Sequence, residues 1–244
     1  MFKKKFETAR DEKQSLLCVG LDPRGVEDIL NFCLDIIESV SEFCIAVKPN
    51  TQFLLPLGME EIIEINEKAH SHGLLSILDH KLSDIGSSNR QAVFWISEMG
   101  FDAFTFSPFS GNFETLKFAE EKNLGVFTLT LMSNPEAKYF MKTRINGIPG
   151  YEFVSRKVLE HGGEGIVVGA TCEKSDLVRI KNIVHDEVVV LSPGVGAQGG
   201  GLDVLKIFGK NTLINISRGI ISAENPKTEA KKYCEMIDRV ISWK

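Results

Sequence analysis

The chain has 244 residues, of which 43% are hydrophobic, and a formal net charge of -5. This length is sufficient for a large core, and α/β barrels of this size commonly form one domain. The acidic balance argues against nucleic-acid binding, because phosphate backbones attract a basic surface, and no uncharged apolar run approaches the length of a membrane span. We therefore expect a soluble, cytoplasmic protein with a small-molecule partner, no nucleic acid and no membrane.

The five cysteines are scattered and show no C-x-x-C spacing. Such cysteines are typical of reduced thiols in a cytosolic protein. The histidines likewise lack the spacing of metal ligands. The sequence therefore predicts neither a disulfide nor a metal site.

Helices and short apolar strands alternate along the chain. The predicted helices span 2–13, 26–40, 58–72 and 87–99, and another begins near residue 151. Gly73 ends the helix before the third strand, as glycine commonly does at a helix C-terminus. The predicted strands span 16–22, 43–50, 74–78, 102–106, 125–131, 165–169, 188–191 and 212–216.

These strands are continuous apolar runs, which is typical of strands covered by helices on both faces. Eight strand-helix units in 244 residues predict a (β/α)8 TIM barrel, a single domain over 1–244 with its active site at the carboxyl ends of the strands. A doubly wound open sheet is the alternative architecture. The longest segment between strands, 132–163, has the length of a binding loop or mobile cover.

Charged residues cluster where the third strand ends. Asp79 and Lys81 are two residues apart, so on an extended strand they face the same side, and Asp84 follows in the loop. Lys48 ends the second strand in the same way. We expect these four side chains to form an alternating chain of charges at the barrel mouth, with each lysine kept protonated by its carboxylate neighbours. The alternative is a structural ion-pair network that stiffens the mouth.

A glycine-rich segment, 192–201, follows the seventh strand, and Ser217-Arg218-Gly219 follows the eighth. Glycine lets backbone N–H groups approach an anion, and arginine offers a forked donor to phosphate. Barrels often bind phosphate after these two strands, so the sequence predicts a phosphate site there. The G-x-G-x-x-G pattern within the segment could instead indicate a dinucleotide fold, but it lies near the end of the chain.

The sequence Asp79-His-Lys81-Leu-Ser-Asp84-Ile85 resembles the D-x-K-x-x-D-I signature of the orotidine 5'-phosphate decarboxylase family. D-x-K-x-x-D alone is shared with related phosphosugar decarboxylases and synthases, whereas Lys48 together with the glycine-rich loop is highly specific. That loop is similar to the one in the subgroup often found as a stand-alone enzyme. Other segments resemble the family's site motifs in the same order: Leu21-Asp22-Pro23, Val47-Lys48-Pro49, Met132-Ser133, Pro193-Gly-Val-Gly-Ala-Gln-Gly-Gly200 and Ser217-Arg218-Gly219.

The resemblance implies decarboxylation of orotidine 5'-monophosphate (OMP) to uridine 5'-monophosphate (UMP), the last step of de novo UMP synthesis, without any cofactor. It also implies a homodimer with shared active sites, in which Asp84, Ile85 and Ser88 reach the partner subunit's site. The implied catalytic residues are Lys48, Asp79, Lys81 and Asp84. In the implied substrate site, Asp22 and Lys48 bind the ribose hydroxyls, Ser133 and Gln198 bind the pyrimidine, and Gln198 and Arg218 bind the phosphate. The other implied substrate-binding residues are Ile85, Ser88, Pro193 and Gly199.

Losing carbon dioxide from C6 of the pyrimidine leaves a carbanion, so the site must stabilise negative charge there and supply a proton. An ammonium group at Lys81 would do both. Two other functions stay open at this point. One is a magnesium-dependent phosphosugar decarboxylase or aldol-type synthase, against which Lys48 argues. The other is a catalytically silent module that binds a nucleotide phosphate.

Overall fold

The computed structural model describes residues 2–195 and 201–243. Its strands are β1 (Leu17–Leu21), β2 (Ala46–Pro49), β3 (Leu75–Leu82), β4 (Ala103–Phe106), β5 (Gly125–Leu131), β6 (Arg144–Ile145), β7 (Ile148–Pro149), β8 (Gly165–Val168), β9 (Val189–Pro193) and β10 (Thr212–Ile216). All except β6 and β7 are parallel and close into a barrel in the order β1-β10-β9-β8-β5-β4-β3-β2. The predicted eight-stranded barrel is therefore confirmed, and the open sheet is excluded.

Helices cover the outside of the barrel. They are α1 (Phe2–Lys13), α2 (Ile29–Val40), α3 (Thr51–Leu54), α4 (Met59–Ser71), α5 (Gly86–Glu98), α6 (Thr115–Glu121), α7 (Ala137–Met141), α8 (Gly150–Glu160), α9 (Lys174–Val184), α10 (Asp203–Phe208), α11 (Arg218–Ile221) and α12 (Pro226–Asp238). Every residue of β1, β2, β4, β8 and β10 is buried. This burial on both faces explains why the strands are continuous apolar runs.

Helix α1 closes the amino-terminal end of the barrel. The ring of Phe2 packs edge-on against Phe127 with their centroids 5.3 Å apart, and Gly125 has no side chain that would overlap Phe2. Lys5 forms an ion pair with Asp102 at 2.7 Å. The opposite end, where the strands reach their carboxyl termini, is therefore the open end.

The structure differs from several of the predicted element bounds. β2 begins at Ala46 rather than residue 43, and β3 continues to Leu82 rather than stopping at residue 78. The 132–163 segment contains α7 and a hairpin formed by β6 and β7. Asn146 and Gly147 join these two strands with positive φ angles of 52° and 83°, the backbone geometry that an Asn-Gly hairpin turn requires.

None of the helices within 2–195 and 201–243 combines the length and the apolar character needed to cross a membrane.

Candidate active site

A cleft of about 330 Å³ opens at the carboxyl ends of the barrel strands. Side chains from the ends of β1, β2, β3, β5, β9 and β10 meet there, as expected for a barrel of parallel strands. The described residues that line it include Asp22, Arg24, Lys48, Asp79, Lys81, Ser133, Pro193, Asn215, Ser217 and Arg218. The sequence-predicted residues Gln198 and Gly199 lie outside the described residues.

Asp79 is the centre of the charge cluster. One carboxylate oxygen, Oδ2, accepts a hydrogen bond from Lys48 Nζ, and the other, Oδ1, accepts one from Lys81 Nζ at 2.5 Å. The side chains of Lys48 and Asp79 are 7% and 12% exposed, whereas that of Lys81 is 44% exposed. The predicted charge chain is thus present over Lys48, Asp79 and Lys81, with Lys81 as the member most accessible from the cleft.

Burial and ion pairing oppose each other in this cluster. Burial by itself raises the pKa of Asp79, but the ammonium groups of Lys48 and Lys81 outweigh it and hold that pKa well below the usual range. Burial likewise lowers the pKa of Lys48, and the carboxylates of Asp79 and Asp22 reverse this effect and raise it. The buried pair is therefore ionised at neutral pH, with a fixed negative charge beside Lys81.

Asp22 lies beside this cluster, directly after β1. Its Oδ1 accepts a hydrogen bond of 3.0 Å from Asn50 Nδ2, while the Oδ1 of Asn50 accepts from the backbone N–H of Gln52 at 3.1 Å and caps α3. One asparagine thus fixes both the start of a helix and a carboxylate in the cleft. Arg24, two residues further on, lies over the ring of Phe53 at 5.3 Å from its centroid.

The β9 and β10 ends form the opposite wall of the cleft. Pro193 ends β9, and Arg218 is exposed at the start of α11. Asn215, at the end of β10, is 8% exposed, and its Oδ1 has no hydrogen-bond partner within the described ranges. A cation and an amide whose oxygen has no partner within the described residues thus line the cleft where the sequence predicts a phosphate site.

Ser133 reaches the cleft from the end of β5. A side chain at Gly169 could not fit beside it, because a Cβ there would lie 2.7 Å from the Cβ of Ser133. The glycine at the end of the neighbouring strand therefore makes room for Ser133 at the mouth.

Asp84, Ile85 and Ser88 lie on the outside of this cleft. All three are exposed, and none of them lines it. The carboxylate of Asp84 accepts a hydrogen bond of 2.7 Å from the backbone N–H of Ile85. Asp84 instead borders an adjacent open pocket whose wall also contains Asp79 and Lys81.

The model of the orotidine 5'-phosphate decarboxylase / HUMPS family matches residues 15–233. The chain belongs to this family. Among its relatives, the orotidine 5'-phosphate decarboxylase of Leptospira interrogans is 33% identical, over 92% of this chain and 88% of that protein. The corresponding protein of Herpetosiphon aurantiacus is 32% identical, over 95% of this chain and 93% of its own length.

Solved structures of this family have the same fold. The orotidine 5'-monophosphate decarboxylase of Methanocaldococcus jannaschii, complexed with the inhibitor BMP, is 30% identical and has a TM-score of 0.78, covering 92% of this chain and 99% of that one. The OMP decarboxylase of Leishmania donovani is 28% identical with a TM-score of 0.86, covering 98% of each chain. These relatives confirm the predicted family and the prediction that this chain is an enzyme. The predicted loop subgroup stays a prediction, because it depends largely on the undescribed residues 196–200.

Sequence reasoning missed three residues at or beside the site, although each has a recognisable feature in the sequence. Arg24 lines the cleft and directly follows the Leu21-Asp22-Pro23 motif. Asn215 is a polar residue within an otherwise apolar strand end. Thr105 has the same character in β4, and its hydroxyl contacts Asp79 at 3.0 Å. A polar residue inside an apolar strand is therefore worth testing as a site residue.

Removing the charge of Asp79 should destabilise the folded protein. Asp79→Asn leaves the buried ammonium of Lys48 without its carboxylate, and we expect a loss of about 3–5 kcal/mol in the free energy of unfolding at pH 7. Chemical denaturation measures it. Asp84→Asn, at an exposed carboxylate, serves as the control, with an expected change below about 0.5 kcal/mol.

The same variant has a distinctive pH dependence. In the unmodified protein the pKa of Lys48 is raised, so the stabilisation is complete below the unfolded lysine pKa and is lost only as the pH rises through the folded value. In Asp79→Asn, burial without that carboxylate depresses the pKa of Lys48. The unfolded state then binds more protons, and stability should rise between about pH 7 and pH 10. A flat profile in the variant would contradict this assignment.

Proposed function

We propose that this protein decarboxylates OMP to UMP, the last step of de novo UMP synthesis, without a cofactor. The observation that carries the proposal is the Lys48–Asp79–Lys81 cluster in the cleft of a chain that belongs to this family. Its relatives named orotidine 5'-phosphate decarboxylase align over most of their length. We assign the catalytic roles to Lys48, Asp79, Lys81 and Asp84.

The charge of the cleft suits this substrate. Among the described lining residues, the cations Arg24, Lys48, Lys81 and Arg218 outnumber the carboxylates of Asp22 and Asp79. OMP carries a carboxylate on the base and a phosphate on the ribose. Arg218 with Gln198 would bind the phosphate, and Asp22 with Lys48 would bind the ribose hydroxyls. Pro193 and Gly199 would also contact the substrate. Ser133 with Gln198 would hold the pyrimidine.

The chemistry takes place at C6 of the base. The bond from C6 to the carboxylate carbon breaks, its electron pair stays on C6, and carbon dioxide leaves. The ammonium of Lys81 stabilises the developing negative charge and then transfers a proton from Nζ to C6. The carboxylate of Asp79 accepts a hydrogen bond from this Nζ at 2.5 Å. Because Lys48 pairs with the other oxygen of Asp79, the Asp79 carboxylate stays ionised throughout the reaction.

Asp79 has a second effect on the reacting group. It fixes a carboxylate beside the place where the substrate's own carboxylate would lie, and repulsion between the two favours departure of carbon dioxide. Binding of the distant phosphate offsets the cost of bringing the two anions together. Binding energy gained at the phosphate, far from C6, therefore lowers the barrier to decarboxylation.

We further propose that the protein acts in the cytoplasm, as one domain over 1–244, and as a homodimer. Several large apolar side chains are solvent-exposed in the single chain, including Leu55 at 69%, Ile85 at 63% and Trp95 at 48%, and Leu55 and Trp95 line one apolar pocket. An exposed apolar surface of this kind is typical of an interface. Asp84 borders the adjacent pocket, and Asp84, Ile85 and Ser88, which are all exposed, would enter the partner subunit's site.

The decisive experiment follows the fall in absorbance as OMP is converted to UMP by the purified protein, with and without EDTA. We expect turnover that survives EDTA. Turnover of a phosphosugar that EDTA abolishes would instead identify a magnesium-dependent relative of the same fold. Binding of UMP without any turnover of OMP would identify a silent nucleotide-binding module.

A further inference from the structure

The barrel is irregular between β3 and β4, at the strand that carries the catalytic cluster. Leu78 pairs with Phe104 and Leu82 pairs with Phe106, so three residues of β3 lie opposite the single residue Thr105. An insertion of this kind disrupts the hydrogen-bond ladder and leaves backbone groups of the longer strand without strand partners. The residues inserted include both Asp79 and Lys81.

Lys81 has an unusual backbone conformation within this bulge. Its φ is 54°, in the left-handed region that a side chain with a Cβ seldom adopts. Such a conformation persists only where neighbouring groups hold it. Groups that contact the backbone of Lys81 must therefore stabilise this conformation.

The hydroxyl of Thr105 supplies that contact. The backbone N–H of Lys81 donates to Thr105 Oγ1 at 2.8 Å, and Thr105 Oγ1 lies 3.0 Å from Asp79 Oδ1. An amide N–H can only donate, so the hydroxyl accepts from Lys81 and its own hydrogen is free to be donated to the carboxylate. Thr105 is 2% exposed and does not line the cleft.

We propose that Thr105 is a positioning residue for the decarboxylation, a role that rests on the proposed function. The Thr105 hydroxyl accepts a hydrogen bond from the backbone N–H of Lys81 and so fixes the backbone of that residue. The same hydroxyl orients the Asp79 oxygen that binds Lys81 Nζ. Because threonine is β-branched, its χ1 torsion is restricted, and the hydroxyl keeps one orientation. Thr105 acts through Asp79 and Lys81 and does not touch the substrate.

Thr105→Val tests the proposal, because valine keeps the shape and removes the hydroxyl. The lost hydrogen bond is made to a charged carboxylate, and the free energy of such a bond corresponds to a fall in kcat of about 10- to 100-fold. The dissociation constant of UMP, which does not require a positioned proton donor, should change by less than about threefold. Steady-state kinetics on OMP and calorimetry with UMP measure the two quantities.

Two further variants separate positioning from packing. Thr105→Ser keeps the hydroxyl and should retain kcat within about threefold of the unmodified protein. Thr128→Val is the matched control, because Thr128 is a fully buried threonine of the neighbouring strand β5 whose Oγ1 has no hydrogen-bond partner within the described residues. It should leave kcat unchanged. If Thr105→Val does not fold, Thr105→Ala compared with Thr105→Ser provides the same test.

An activity-independent measurement distinguishes failure of this proposal from failure of the proposed function. Hydrogen exchange of the Lys81 amide, followed by NMR after selective 15N-lysine labelling, should accelerate at least about tenfold in Thr105→Val and not in Thr128→Val. An unmodified protein that does not convert OMP would refute the function, while the exchange rates would still decide whether Thr105 holds Lys81. Unchanged exchange, unchanged kcat, or an equal fall in kcat for the valine and serine variants would overturn the positioning role.

Discussion

Lys81→Ala is expected to lower kcat for OMP by at least about four orders of magnitude, because in the proposed mechanism it removes both the proton donor and the cation that stabilises the C6 carbanion. The protein should still fold. The Lys81 side chain is 44% exposed, and Asp79 keeps its ion pair with Lys48, so no buried charge is left alone. Binding of UMP should also persist, since Arg218 and the ribose-binding residues are untouched.

Two comparisons make this result specific. Lys81→Arg keeps a positive charge but offers a guanidinium, which does not release its proton at neutral pH, so it should be nearly as inactive as alanine. Lys232→Ala removes an exposed lysine from α12 and should have normal activity. Steady-state kinetics, calorimetry with UMP and thermal unfolding provide the measurements. More than about a tenth of normal activity in Lys81→Ala would show that another group protonates C6.

The barrel was predictable because its strands are buried on both faces. An uninterrupted apolar run such as Gly125–Leu131 was predicted with its exact limits. The start of β2 was less predictable, since Phe43, Cys44 and Ile45 are also apolar but precede the strand, with Phe43 in a turn. Apolar character thus locates a buried strand, while its ends depend on where the neighbouring strands pair.

The charge cluster was predicted for a reason that is only partly correct. A spacing of two residues was expected to place Asp79 and Lys81 on one face of a regular strand. In the structure, the strand bulges there, and Lys81 has a left-handed backbone held by Thr105 on β4. Strand pairing is a long-range property, so the sequence of β3 alone could not reveal the bulge.

Other features had local signals that could have been used. Asn146-Gly147 between two short extended segments is a strong hairpin signal, and the hairpin is present. Asn50 follows Lys48-Pro49 and begins a short helix by capping it. The role proposed for Asp84, by contrast, involves a second subunit, about which the sequence of one chain carries little information.

Mixed dimers of Lys81→Ala and Asp84→Ala subunits are expected to regain activity that neither parent has. Each homodimer should be nearly inactive, with Asp84→Ala reduced by at least about 100-fold if its carboxylate helps place the ammonium. Asp84 is exposed and lies outside the cleft of its own chain, yet it borders a pocket that exposes Lys81. Because it is exposed, this carboxylate is accessible to a neighbouring subunit.

The expected recovery follows from counting intact sites. If Asp84 crosses the interface, a mixed dimer has one site with both defects and one with neither, so random mixing in equal amounts should give about a quarter of normal activity. If Asp84 serves its own chain, every site in the mixture carries a defect and no activity returns. Mixing Lys81→Ala with Lys48→Ala is the matched control. These two lysines bind one Asp79 within a single chain, so their mixed dimers should stay inactive whichever way the subunits are arranged.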